Sequence, residues 1–194
     1  MTRRVSLVVL AAGQSLRFGG DKLQHEIDGV PMLLRALRLY ASLTDRFISR
    51  TVVLCPERSA FQAEAEALGY RVVYNDRPAD GQSSSVRLGA EDAVQANPDG
   101  ILFSVADQPY LTAETVAAIL DRFDAAPDRI VQPAANGRRG NPVLFPSSCV
   151  EALCALSGDV GGSAVIRSHS DLLLTVEATA KELIDIDRKT EGSQ

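Results

Sequence analysis

What most constrains this chain is a repeated alternation of apolar runs of strand length with stretches of helical period. The runs are "RVSLVVL", "TVVLC", "YRVVYN", "ILFSVAD", "RIVQPA", "NPVLF" and "DLLLTVEA". Several are almost continuously apolar and rich in Val and Ile, as strands covered on both faces must be. Between them, Leu33, Leu37, Tyr40 and Ala41 fall on one helical face behind Pro31, which suits a first helical turn. Ser59 and Gln62 have the spacing of a capping box. Val116, Ile119, Leu120 and Phe123 share one side of a helix that Thr112 is placed to cap, with Glu114 near its positive end. Alternation of this kind predicts an α/β fold in three layers around a mostly parallel sheet. Beyond Ala134 the order loosens through Asn136–Pro142, which predicts an insertion or an antiparallel excursion.

At 194 residues, 45% of them hydrophobic and 23% charged, the chain suits one globular domain, residues 1–190, with 191–194 as a frayed tail. Its net charge is −5 and its basic residues are dispersed, so nothing argues for nucleic acid as a partner. An anion bound here should be small and held locally. No apolar run is long enough to span a bilayer, and no membrane partner is expected. Cys55, Cys149 and Cys154 are odd in number and lack CxxC spacing, which predicts a reducing, cytoplasmic setting. With only His25 and His169 as histidines, neither expected to be catalytic, a structural zinc site is not expected. No exposed heptad or edge pattern demands a partner copy, so the expectation is a monomer.

In open α/β sheets, ligands bind beyond the carboxyl ends of the strands, so the residues to examine follow each apolar run. After the first comes "LAAGQSLRFGGDK", Leu10 to Lys22. Ala11, Ala12 and Gly13 allow a ligand close to the backbone, whose N–H groups can cradle an anion. Arg17 and Lys22 add a fork and a point charge, which together suit a polyphosphate. The spacing is neither a Walker A loop nor a GxGxxG fingerprint. The fourth long run ends in Asp107, a carboxylate that needs a partner. Mg²⁺ shared with substrate phosphates is a suitable one, and Thr112 is better placed than Asp107 to cap the following helix. "GQSSSVRLG" sets Ser83, Ser84 and Ser85 after Gly81 at a helix start, where hydroxyls suit an anion, a base edge or ordinary capping. Arg87 in the same stretch reads as a solvated helix charge.

These stretches carry a resemblance. "LAAGQSLRFGGDK", "GQSSSVRLG", "ADQPYL", "RGNPVLF", "GDVGGSAVI" and "DID" occur in the order found in nucleotidyltransferases with a Rossmann-like, glycosyltransferase-A-type fold. The chain is most similar to their MobA-like branch, and within it to the molybdenum cofactor cytidylyltransferases. The resemblance implies that Leu10, Ala11, Ala12, Gly13 and Ser15 face the nucleotide, with Arg17 and Lys22 on its phosphates. Gly81, Ser83, Ser84 and Ser85 would meet the base and ribose. Asp107 and Asp187 would be the Mg²⁺ ligands, although "DRKTEG" departs from the family's usual DTPED, and Asp185 is a possible substitute. Gln108, Pro109, Gly140, Asn141, Asp159, Gly161 and Gly162 would line the acceptor side. Asn141 stands where many relatives carry His, while Asp159 and the two glycines could equally form a plain turn. Ala12, where guanylyl relatives tend to have Gly, implies CTP over GTP.

The implied reaction is transfer of CMP from CTP to the phosphate of molybdopterin, with release of pyrophosphate. A molybdenum hydroxylase would receive the product. Three alternatives remain open at this stage: guanylyl transfer to the same acceptor, cytidylyl or uridylyl transfer to a sugar or alcohol phosphate, and a non-catalytic molybdenum cofactor carrier.

Overall fold

Along β1 (Val5–Ala11) successive side chains alternate between two faces, and that alternation divides the molecule into three layers. Val5, Leu7, Val9 and Ala11 join one core, while Val8 and, just past the strand, Ala12 join the other. The computed structural model describes residues 2–13 and 19–186.

All seven apolar runs form strands. After β1, a small antiparallel hairpin joins β2 (Glu26–Ile27) and β3 (Val30–Pro31). The remaining strands are β4 (Ser49–Leu54), β5 (Arg71–Tyr74), β6 (Gly100–Val105), β7 (Ile130–Ala135), β8 (Arg138–Arg139), β9 (Val143–Pro146) and β10 (Leu173–Glu177). The main sheet runs β10-β7-β9-β6-β1-β4-β5, with β8 paired to β7. β6, β1, β4 and β5 are mutually parallel, as are β10 and β7, while β9 runs antiparallel between β6 and β7. The expected excursion after Ala134 is thus the β8–β9 segment.

Helices α1 (Met32–Ala41), α2 (Gln62–Ala67) and α4 (Ala113–Ala125) cover the first face. Helices α3 (Gln82–Ala93), α5 (Val150–Cys154) and α6 (Gly162–Ser168) cover the second. α3 lies so close on the sheet that a Cβ on Gly89 would stand 2.4 Å from Val8 Cγ1. On α1 the expected stripe is buried at Leu33, Leu37 and Tyr40, and Ala41 is half-buried. Thr112 caps α4 by accepting from the Thr115 amide, as its position suggested.

One local expectation fails. Ser59 and Gln62 form no capping box: Pro56 starts a 3₁₀ segment, Pro56–Phe61, that contains Ser59, so α2 begins only at Gln62 with Phe61 at its N-cap. No helix among the described residues is long and apolar enough to cross a membrane.

The chain leaves β1 for β4 and β5 on one side, then returns to lay β6 on the other. The carboxyl ends of β1 and β6 therefore part company at the point where the winding reverses, the crevice in which doubly wound sheets hold ligands.

Candidate active site

β1 and β6 run in register with Leu10 opposite Val105, so the small-residue loop and the turn carrying Asp107 leave the sheet side by side. Ala11 and Ala12 are each 1% exposed, with their methyls in the core, whereas Gly13 is exposed with open space about it. Arg17 and Ser15 lie outside the described residues, as does Asp187.

Lys22 returns to this crevice at the head of a short 3₁₀ turn, Lys22–Gln24, that Asp21 caps by accepting from the Leu23 amide. Its Nζ donates to Asp107 Oδ2 at 2.5 Å. The other carboxylate oxygen, Oδ1, is buried and has no hydrogen-bond partner among the described residues. A buried carboxylate oxygen without a donor is costly, and a hard cation is the kind of ligand that satisfies it. No group of three or more metal-ligating side chains occurs among the described residues.

The loop after β1 is shaped by a residue that no motif in the sequence singles out. Arg58 is 3% exposed in the 3₁₀ segment after β4. It donates through Nη1 to the Ala11 carbonyl at 2.5 Å and through Nη2 to the Gly13 carbonyl at 2.8 Å. Its Nε and Nη2 also meet the two Asp21 oxygens, each at 2.8 Å. One guanidinium thus fixes both ends of the described loop. Burial pushes the Asp21 carboxyl up, but the hydrogen bonds and charge of Arg58, with the Leu23 amide and Gln24, outweigh it and hold the group below the usual aspartate value. Arg58 follows an apolar run by a few residues, so its position after β4 was the available signal.

The serine loop is tied inward. Ser83, Ser84 and Ser85 are all buried at the start of α3. Ser83 Oγ donates to the Gly158 carbonyl at 2.6 Å and Ser84 Oγ to the Gly81 carbonyl at 2.8 Å. Asn75 Nδ2 donates to both Ser84 and Ser85. Gly81, at φ +94°, packs so tightly that a Cβ there would stand 2.6 Å from the Gly158 carbonyl oxygen and 2.7 Å from Asp159 Cα. The "GQSSS" and "GDVGG" loops therefore form one unit, with Asp159 beside Gly81 and Gly161 beside Gln82.

The residues assigned to the acceptor divide between the two faces. Gly140, Asn141 and Gly162 line a cavity of about 240 Å³ together with Leu10, Gln82 and Gln132. Gln108 and Pro109 line a separate cavity of about 310 Å³, with Arg35, Arg38 and Leu111.

The C-terminal segment crosses beside both. Glu182 accepts from Thr115 Oγ1 at 2.6 Å, Thr112 Oγ1 at 2.7 Å and the Thr179 amide at 2.9 Å. Burial alone would raise its carboxyl; the hydrogen bonds from Thr115, Thr112 and Thr179 bring it down to about 2. So anchored, the segment packs Leu183 against Gly140, and the Ile186 amide donates to the Asp107 carbonyl. Gln108 Nε2 donates to Asp185 Oδ1 at 2.8 Å. Asp185 thereby reaches the Asp107 turn.

The family model for the MobA-like NTP transferase domain matches residues 7–172. Purine catabolism protein PucB of Bacillus subtilis is 28% identical over 168 residues, covering 83% of this chain and 80% of PucB. The bifunctional enzyme IspD/IspF of Nitrobacter winogradskyi is 29% identical over 130 residues, 64% of this chain, and the aligned part is 31% of that enzyme. In structure, the chain is similar to the Rv0371c homolog from Mycobacterium sp. strain JC1, with a TM-score of 0.82, 26% identity, and coverage of 97% and 92% of the two chains. Rv0371c of Mycobacterium tuberculosis in complex with manganese shares the fold at a TM-score of 0.72 and 23% identity, over 94% of each chain.

Proposed function

The chain belongs to the MobA-like NTP transferase family, whose chemistry is nucleotidyl transfer, and from that premise we propose that it transfers CMP from CTP to the phosphate of molybdopterin, with Mg²⁺. The observation that carries this reading is Asp107: it stands where β1 and β6 part, with one carboxylate oxygen on Lys22 and the other buried without a donor among the described residues.

An oxygen of the acceptor's phosphate attacks the α-phosphorus of CTP, the bond to the bridging oxygen breaks, and pyrophosphate departs. A phosphate monoester is already an anion near neutral pH, so the chain has little proton transfer to perform. Its task is positioning and charge compensation. Leu10 to Gly13, held by Arg58, present backbone to the triphosphate, with Ser15 completing the loop. Arg17 and Lys22 neutralise phosphate charge. Asp107 holds the metal, with Asp187 as the proposed second ligand and Asp185 as its substitute. Bound there, Mg²⁺ supplies charge neutralisation at the reacting phosphates. Gly81 and the three serines shape the base and ribose side, and the choice of CTP rests on the resemblance of the loop sequence at Ala12, whose own methyl lies in the core. Gly140, Asn141 and Gly162 form the proposed acceptor wall, with Asp159 and Gly161 behind it against the serine loop. Gln108 and Pro109, which line the other cavity, meet the acceptor only from the Asp107 turn. The product would pass to a molybdenum hydroxylase.

Pyrophosphate release measured with Mg²⁺ and molybdenum-loaded molybdopterin, across CTP, GTP, ATP and UTP, tests the proposal. Release with CTP alone is expected. Release with GTP alone would overturn the base assignment, and release only with a sugar or alcohol phosphate would overturn the acceptor.

A further inference from the structure

Among the buried polar side chains on one face of the sheet, Ser6 and Thr51 are hydrogen-bonded, and Gln132 stands apart from them. On β7, Val131 belongs to the core under α1 and α4, and Ile130 to the core under α3, α5 and α6. Alternation sends Gln132 to the same face as Ile130. Gln132 is 3% exposed, and its Nε2 is buried with no hydrogen-bond partner among the described residues. It lines the cavity of about 240 Å³, whose walls include Val86, Phe103, Val143, Phe145 and Ile166. Phe103 and Phe145 meet edge to face, with ring centroids 6.1 Å apart.

An amide buried among apolar walls without a partner is destabilising, and an apolar side chain of similar shape would fill the space without that cost. Groups of this kind in a native fold call for a missing ligand or a strained functional role. We propose that Gln132 is the recognition residue of this cavity and reads the lactam edge of a planar heterocycle, the adjacent N–H and C=O of a pterin-type ring. A primary amide carries a donor and an acceptor side by side, which matches that edge in two hydrogen bonds. The walls offer aromatic and branched aliphatic surface to the ring faces. The volume lies below the about 300 Å³ at which drug-sized pockets begin, so it takes one bicyclic ring and not a whole nucleotide. Asn141 and the exposed Arg139 also line the cavity, and the polar remainder of such a ligand would lie beside them. The inference rests on the nucleotidyl-transfer reading for calling this ring the second substrate.

Binding of free pterin, followed by its fluorescence, is to be compared with binding of 2,4-diaminopteridine, which lacks the lactam, in wild type, Gln132→Leu and Gln132→Met. The wild type is expected to favour pterin by at least about tenfold, and both variants to lose that preference. Melting temperatures of the variants should equal or exceed that of wild type, because the unpartnered amide is gone, and Mg²⁺–CTP binding should be unchanged. Absence of pterin binding, equal affinity for the two rings in wild type, or a preference that survives in the variants would overturn the inference. Neither ring binding nor melting uses the transfer reaction. A failure of pyrophosphate release with an intact pterin preference would therefore strike the proposed reaction, while the converse would strike Gln132 alone.

Discussion

The two halves of the crevice solve the problem of buried polarity in opposite ways. On the β1–β4 half, Arg58 is nearly inaccessible, yet it binds two loop carbonyls and both oxygens of Asp21. On the β6–β7 half, Asp107 Oδ1, Gln108 Oε1 and Gln132 Nε2 are all buried and lack partners among the described residues. The fourth such atom, Arg3 Nε, sits before β1 at the opposite end of the sheet. In a low-dielectric site a satisfied network rigidifies and an unsatisfied group is costly. Among the described residues, Arg58 is satisfied on the loop side, while these three atoms on the β6–β7 side have no partner.

The sharpest way to break this contrast is Asp107→Ala. Loss of this carboxylate should lower the rate of pyrophosphate release by about 10³-fold or more while the circular dichroism spectrum stays native. Retention of substantial Mg²⁺-dependent turnover would deny Asp107 its metal role. On the satisfied half the effect should fall on stability instead. Arg58→Ala removes the ion pair with Asp21 and the donor of the buried Ala11 carbonyl, and should cost about 3–5 kcal/mol in urea unfolding, as breaking a buried pair does. A loss under about 1 kcal/mol would mean that the loop does not depend on the clasp.

Glu182 extends the comparison to the C-terminal segment. Glu182→Ala should cost about 2–3 kcal/mol, the range for hydrogen bonds to a buried charge. Its carboxyl lies at about 2 in the folded chain against 4.5 as an unperturbed reference. The folded value is the lower one, so this contribution is complete above about 4.5 and fades as pH falls toward 2. Wild type should therefore lose stability more steeply than Glu182→Gln across that interval; parallel acid-unfolding curves would contradict the assignment. The smallest effect belongs to Ala12→Gly. Ala12 is 1% exposed with its methyl in the core, so the change should alter the CTP-to-GTP ratio of kcat/KM by less than about tenfold.

Strand and helix positions were legible because nearly continuous apolar runs mark β1 and β6, and a period near 3.6 marks the apolar residues of α1 and α4. The β2–β3 hairpin was not, since strands of two residues carry no period. Asp107 and Lys22 were legible as residues beyond strand ends, and the structure brings them into contact. Arg58 was not, because its loop partners are backbone carbonyls more than forty positions earlier, and such bonds leave no pattern in side-chain identity. Glu182 escaped notice for a related reason: it supplements the Thr112 cap from the far end of the chain. The serine triplet shows the opposite limit. Its residues were found, but the hydroxyls of Ser83 and Ser84 are engaged with Gly158 and Gly81, which a sequence cannot display.

In the proposed reaction the Asp107 carboxylate oxygen that lacks a partner among the described residues is the contact reserved for the metal–nucleotide complex. The most direct test is the shift in melting temperature on adding CTP with Mg²⁺, and CTP with EDTA, to wild type and to Asp107→Asn. A ligand that binds only the folded state at 100 times its Kd stabilises it by about 2.7 kcal/mol, a shift of several degrees. The account predicts that shift for wild type with Mg²⁺ and its disappearance with EDTA or in Asp107→Asn. An equal shift without metal, or an undiminished one in Asp107→Asn, would contradict it.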